Sequence, residues 1–167
     1  MLPQKISELN SLRDECKSMV TTRASLSAGA AIIPIPGADI GADVALLLEM
    51  IPMINRKFGL TPEQMDLIDP QIKKLILVAV TSIGSELIGK IITKQLIMQV
   101  LKRIGIRVAA KSVAKYIPIL GSAVAASISF GAMKMVGNSH VDDCYEVVKK
   151  VILAEANAKD AAESSPA

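Results

Sequence analysis

The chain has 167 residues, 51% of them apolar but only 2% aromatic, and a net charge of +3. That length suits one domain with a core of its own. The apolar content is Ala, Ile, Leu, Val and Met, as expected of closely packed helices, and the mean hydropathy of +0.43 makes membrane contact a reading to weigh. Cys16 and Cys144 match no metal or redox spacing, so a reducing interior is expected rather than an exported disulfide scaffold. The opening Met1-Leu2-Pro3-Gln4-Lys5 leads into a charged amphipathic stretch and not the apolar core of a signal peptide.

Charge is distributed unevenly. Residues 1–71 carry −3 and residues 117–167 carry −2, whereas residues 72–116 hold nine basic side chains against Glu86 alone, or +8. The middle third therefore carries the electrostatic signal for a partner.

In chain order, Ile6, Leu9, Leu12, Cys16 and Met19 or Val20 recur at helical steps and predict a first helix over 4–23. The apolar run 24–38 contains Pro34, Pro36 and Gly37, a rigid corner. A second helix is expected from Asp39 to Phe58, kinked at Pro52 and stopped at Gly59. Thr61-Pro62-Glu63-Gln64 reads as the cap of a short helix ending near Asp69-Pro70. Residues 71–103 read as one long helical stretch with Gly84 and Gly89 as its candidate breaks. Gly105 should separate it from a basic helix running to Tyr116. Pro118 and Gly121 make a second corner that opens an apolar helix through Val136, and Asn138 should open the last helix. No convincing strand is present. The expectation is an all-α domain of about six or seven helices over 1–157, followed by a flexible acidic tail over 158–167.

One segment looks like a phosphate-binding loop. Gly84-Ser85-Glu86-Leu87-Ile88-Gly89-Lys90-Ile91 matches G-x-x-x-x-G-K but has Ile where a Mg²⁺-binding hydroxyl belongs. It also sits in an apolar helical pattern, where Glu86 and Lys90 would form an i,i+4 pair, so it reads as a decoy. Asp39 and Asp43 lie one turn apart and read as dipole compensation rather than as an acid and base pair. His140, the only histidine, lacks the partners of a zinc site or a triad in its neighbourhood, and reads as part of a polar helix start beside Asn138 and Ser139. No catalytic, nucleotide-binding or metal-binding set emerges, and no cofactor is expected.

The basic segment offers Lys and Arg for phosphate contacts but only Tyr116 for stacking, so nucleic acid is the weaker partner. An anionic membrane surface fits better. Lys90, Lys94, Lys102, Arg103, Arg107, Lys111 and Lys115 flank Leu87, Ile88, Ile91, Ile92, Leu96, Ile97, Val100 and Leu101, a cationic face beside an apolar one. The simpler alternative is a bundle helix with a solvated basic face. A spanning hairpin is the second membrane reading, because Ile117 to Met133 is 17 residues without a charge.

With these residues in hand, the chain resembles the C-terminal helical domain of immunity-related (interferon-inducible) GTPases. The matching pieces are Ala30-Ala31-Ile32-Ile33-Pro34-Ile35-Pro36-Gly37, Asp43 with Leu46-Leu47-Leu48, Phe58-Gly59-Leu60, Tyr116-Ile117-Pro118-Ile119-Leu120-Gly121-Ser122, Ser129-Phe130-Gly131 and Val141-Asp142-Asp143-Cys144. A bacterial domain of unknown function that accompanies GTPases and membrane spans shares the Pro-x-x-Gly style. The resemblance implies a helical module that docks on a GTPase domain, in cis or in trans, or on further copies, and assembles on the cytoplasmic face of intracellular membranes. No authentic phosphate loop, switch or base-specificity motif stands in these 167 residues, so nucleotide hydrolysis is carried over to none of them.

Overall fold

The computed structural model describes residues 2–30, 38–111 and 121–163. All regular structure among these residues is helical, as expected: α1 (Ile6–Ala30), α2 (Ala38–Phe58), α3 (Pro62–Asp66), α4 (Pro70–Ile83), α5 (Lys94–Lys111) and α6 (Gly121–Glu163). Among the described residues five are full helices and α3 is a single short turn, so the expected count of about six or seven is slightly off. The corners expected at Pro34, Pro36, Gly37 and Pro118 lie outside the described residues, and Gly121 is the first residue of α6.

Local chemistry accounts for the boundaries. α1 continues past the expected residue 23 to Ala30, and along it Thr21 bonds back to the Lys17 carbonyl at 3.0 Å and Ser25 to that of Thr21 at 3.0 Å. Gly59, at φ 75°, stops α2 in the left-handed region where a side chain would be strained. Thr61 and Gln64 form a reciprocal capping box at the start of α3. Asp69 caps α4 by accepting from the Gln71 and Ile72 amides, with Pro70 at the first helical position. At the other end Gly84, at φ 74°, sends its N–H back to the Val80 carbonyl at 3.0 Å.

One candidate break is realised and two expected boundaries are corrected. The stretch 71–103 is interrupted at Gly84, one of its two candidate breaks, and helical geometry resumes only at Lys94. α5 passes through Gly105 to Lys111, since one interior glycine costs only about 1 kcal/mol. Asn138 opens no helix, because α6 is continuous for 43 residues. Its helical geometry also continues to Glu163, taking in the first six residues of the expected tail.

The chain divides into two compact units. One comprises Met1–Cys16, Met53–Ile91 and Ser139–Ala167, and its core holds Leu9, Ile54, Phe58, Leu60, Ile76, Leu87, Ile88, Val141, Val148 and Val151. Here Arg13 pairs with Asp142 at 2.6 Å and lies over the Tyr145 ring, whose hydroxyl donates to Asn10 at 2.8 Å. The other comprises Lys17–Pro52 and Ile92–Asn138. Its core holds Val20, Ala24, Leu47, Met50, Ile51, Ile97, Met133 and Val136. Within it Gly137 allows close approach, since a Cβ there would meet Val20 Cγ1 at 2.6 Å and Met50 Cε at 2.9 Å. Close packing at Gly137, rather than a helix start at Asn138, marks this point of α6.

Candidate functional site

The cationic residues do not form the single helical stripe that their spacing suggested. Lys90 lies in the irregular segment between α4 and α5, whereas Lys94, Lys102 and Arg103 belong to α5; all four are exposed. Arg107 and Lys111 fall within α5 but their side chains lie outside the described residues, as does Lys115 altogether. The apolar residues interleaved with them divide sharply. Leu87, Ile88 and Ile97 are buried, Ile92, Leu96, Val100 and Leu101 are half-buried, and only Ile91 stands out, at 77% exposed. Most of the apolar face assigned to a membrane is therefore committed to the interior.

An exposed apolar face does exist, one helix earlier. On α4, Ile76 and Ala79 point into the core of their unit, and this turns Leu75, Leu77 and Val78 outward, the last two at 50% and 61% exposure. Leu67, just before α4, is 89% exposed. The face is held in place from both ends, by Lys73 on Asp66 at 2.7 Å and by Lys150 donating to Ser82 Oγ at 2.7 Å. α4 contains Lys73 and Lys74 and no acidic residue. The sequence signal was available, for Lys74, Leu77, Val78 and Thr81 recur at steps of three and four, but it was absorbed into the assumed long helix.

The phosphate-loop look-alike is not inside a helix, contrary to expectation, so Glu86 and Lys90 are not an i,i+4 helical pair. Nor does it follow a strand and open a helix, as a nucleotide-binding loop does. It follows α4, and Gly84 and Gly89 both adopt positive φ. Leu87 and Ile88 plug the core, and the Leu87 carbonyl accepts from Asn55 Nδ2 at 3.0 Å. These glycines shape a connection whose contents are packed inward. The Asp39 and Asp43 side chains lie outside the described residues.

That Asn55 bond belongs to a cluster the sequence did not reveal. Asn55 is buried on α2, and His140, 2% exposed, stands on α6 with its Nε2 2.9 Å from Asn55 Oδ1. Cys144, one turn on, places its Sγ 3.7 Å from the same Oδ1 and 3.7 Å from His140 Nε2. Because Asn55 Nδ2 donates to Leu87, Oδ1 must be the acceptor, which requires the Nε2–H tautomer of His140. His140 is thus no part of a polar helix start. Burial lowers its pKa to about 3, so the ring is neutral. Burial likewise raises the Cys144 thiol well above its usual value and moves Cys16 up to about 11. A Cys, a His and an Asn together suggest nucleophilic chemistry, but here the thiol stays protonated and the group has almost no solvent access. The arrangement is a polar knot in an apolar core.

The same unit has an apolar groove of about 410 Å³ lined by Leu2, Leu67, Ile68, Ile72, Val148 and Val151 among others. Among the described residues no group of three or more His, Cys, Asp or Glu is placed to hold a metal ion, and no helix is long and apolar enough to cross a membrane. No family model matches the chain, and no curated protein and no solved structure matches it significantly.

Proposed function

We propose that the chain is a non-catalytic helical module that associates peripherally with anionic membrane surfaces and assembles with protein partners. The partner class suggested by the family resemblance is a GTPase domain, in cis or in trans, or further copies of the chain. The cytoplasmic face of an intracellular membrane is the corresponding location. The observation that carries this reading is the nine-to-one excess of basic over acidic side chains in residues 72–116, with Lys74, Lys90, Lys94, Lys102 and Arg103 all exposed.

Each such cation held near an anionic leaflet contributes about 1 kcal/mol, so the three on α5 supply roughly 3 kcal/mol and give weak, reversible binding. Firm attachment needs inserted apolar side chains or several copies acting together. Flotation of the full chain with phosphatidylserine-containing vesicles tests the electrostatic part. Reversal to Glu at Lys90, Lys94, Arg103 and Arg107 is expected to abolish recovery in the lipid fraction. Equal recovery of wild type and variant would remove the charge-based reading.

A further inference from the structure

We propose that the outward face of α4 is the bilayer-contacting element, with Leu77 and Val78 entering the interface of an anionic membrane and Lys74 and Lys150 beside them at headgroup level. This rests on the membrane reading above and places its apolar contact on α4 rather than along α5, whose cations keep their role.

Three observations point to α4. First, its apolar face has no covering partner within its unit, whereas the apolar residues around Lys90 and along α5 are mostly buried or half-buried. Secondly, the charge pattern selects an anionic surface. α4 contains no Asp or Glu, Lys74 flanks Leu77 and Val78, and Lys150 is brought to the far end of the face by its bond to Ser82. Long cationic side chains of this kind lay their methylenes along apolar surface and keep their charge at the phosphates.

Thirdly, the shape favours a sheet of lipid over a partner helix. The shallow depression on this face is lined by Lys74, Leu77, Val78, Thr81 and Ser82, all five from α4 itself. A docked amphipathic helix needs a groove with walls on both sides. A bilayer needs none, since it supplies its own apolar phase. The Thr81 and Ser82 hydroxyls at the edge of the face suit the wet headgroup layer. Because caps fix both ends of α4 and Ile76 and Ala79 anchor its inner side, the helix is already ordered before it meets lipid.

The test uses the full chain with vesicles of phosphatidylcholine and phosphatidylserine at 7:3, and with phosphatidylcholine alone. A Val78→Cys variant accepts an environment-sensitive fluorophore selectively, because Cys16 and Cys144 are buried. Its emission is expected to shift to the blue on the anionic vesicles and to stay unchanged on the neutral ones. Leu77→Ser with Val78→Ser is expected to lower partition about tenfold without lowering the melting temperature.

If wild type floats with anionic vesicles while the label stays silent and the double variant partitions like wild type, α4 is not the contact and the charge-based reading survives alone. If wild type does not float at all, both fail. A blue shift that appears on concentrating the protein without lipid would show the face covered by a second copy, and would overturn the proposal.

Discussion

Asn55 Oδ1 accepts a hydrogen bond from His140 Nε2 at 2.9 Å across 85 positions of sequence, and through it α2 and α6 are joined inside one core. Replacing Asn55 by Ala strands two buried groups at once, the imidazole N–H and the Leu87 carbonyl. The expected loss is about 3 kcal/mol by urea denaturation. In a double-mutant cycle with His140→Ala the two losses should fall short of additivity by about 1–2 kcal/mol. Simple additivity would mean the bond carries no coupling.

The same histidine sets a pH dependence. In the unfolded chain it takes up a proton near pH 6.5, whereas in the folded chain burial delays this to about pH 3. Between those values the unfolded state holds the extra proton, so stability rises with pH. It is fully present above pH 6.5 and is lost on acidification, at up to about 1.4 kcal/mol per unit. Asp143, whose pKa burial raises, contributes with the opposite sign, so wild type is best compared with His140→Gln. The variant should be less stable at pH 7 but show a flatter slope between pH 6.5 and 5. Parallel slopes would place the proton elsewhere.

The glycines of α6 should respond in opposite directions. Gly137→Ala drives a methyl into Val20 Cγ1 and Met50 Cε and is expected to cost about 1–3 kcal/mol. At Gly131 an added Cβ meets nothing within 4 Å, so Gly131→Ala should stabilise by about 0.5–1 kcal/mol through helix propensity. Thermal melts of the two variants check both signs.

Both cysteines are buried free thiols whose ionisation burial suppresses. A disulfide reagent at pH 8 is therefore expected to leave the native chain untouched over minutes, and to titrate both thiols in urea. Fast reaction of Cys144 in the native chain would contradict the packing around the Asn55 knot.

Local signals in the sequence carried most of the helical fold. Thr61 through Gln64 spells out a capping box and Gly59 a left-handed stop, each settled within one turn of chain, whereas Asp69-Pro70, expected to end the short helix, caps the start of α4. The misses involve groups whose partners are remote. Asn138 read as the start of a helix because the Val20 and Met50 side chains packed against the neighbouring Gly137 lie far away in sequence. His140 read as part of a polar helix start for the same reason, its partner being on α2. The α4 face escapes a reading of the sequence because the stronger basic and apolar pattern lies after Gly84, where that helix has already ended.

The central claim is that a cationic surface edged with outward apolar side chains recognises anionic bilayers. Its most direct test is the partition of the full chain onto phosphatidylserine-containing vesicles as ionic strength rises. Binding carried by exposed Lys and Arg should weaken steeply between about 0.05 and 0.5 M salt and be absent on neutral vesicles. Partition that ignores salt, or that is equal on neutral lipid, would contradict it.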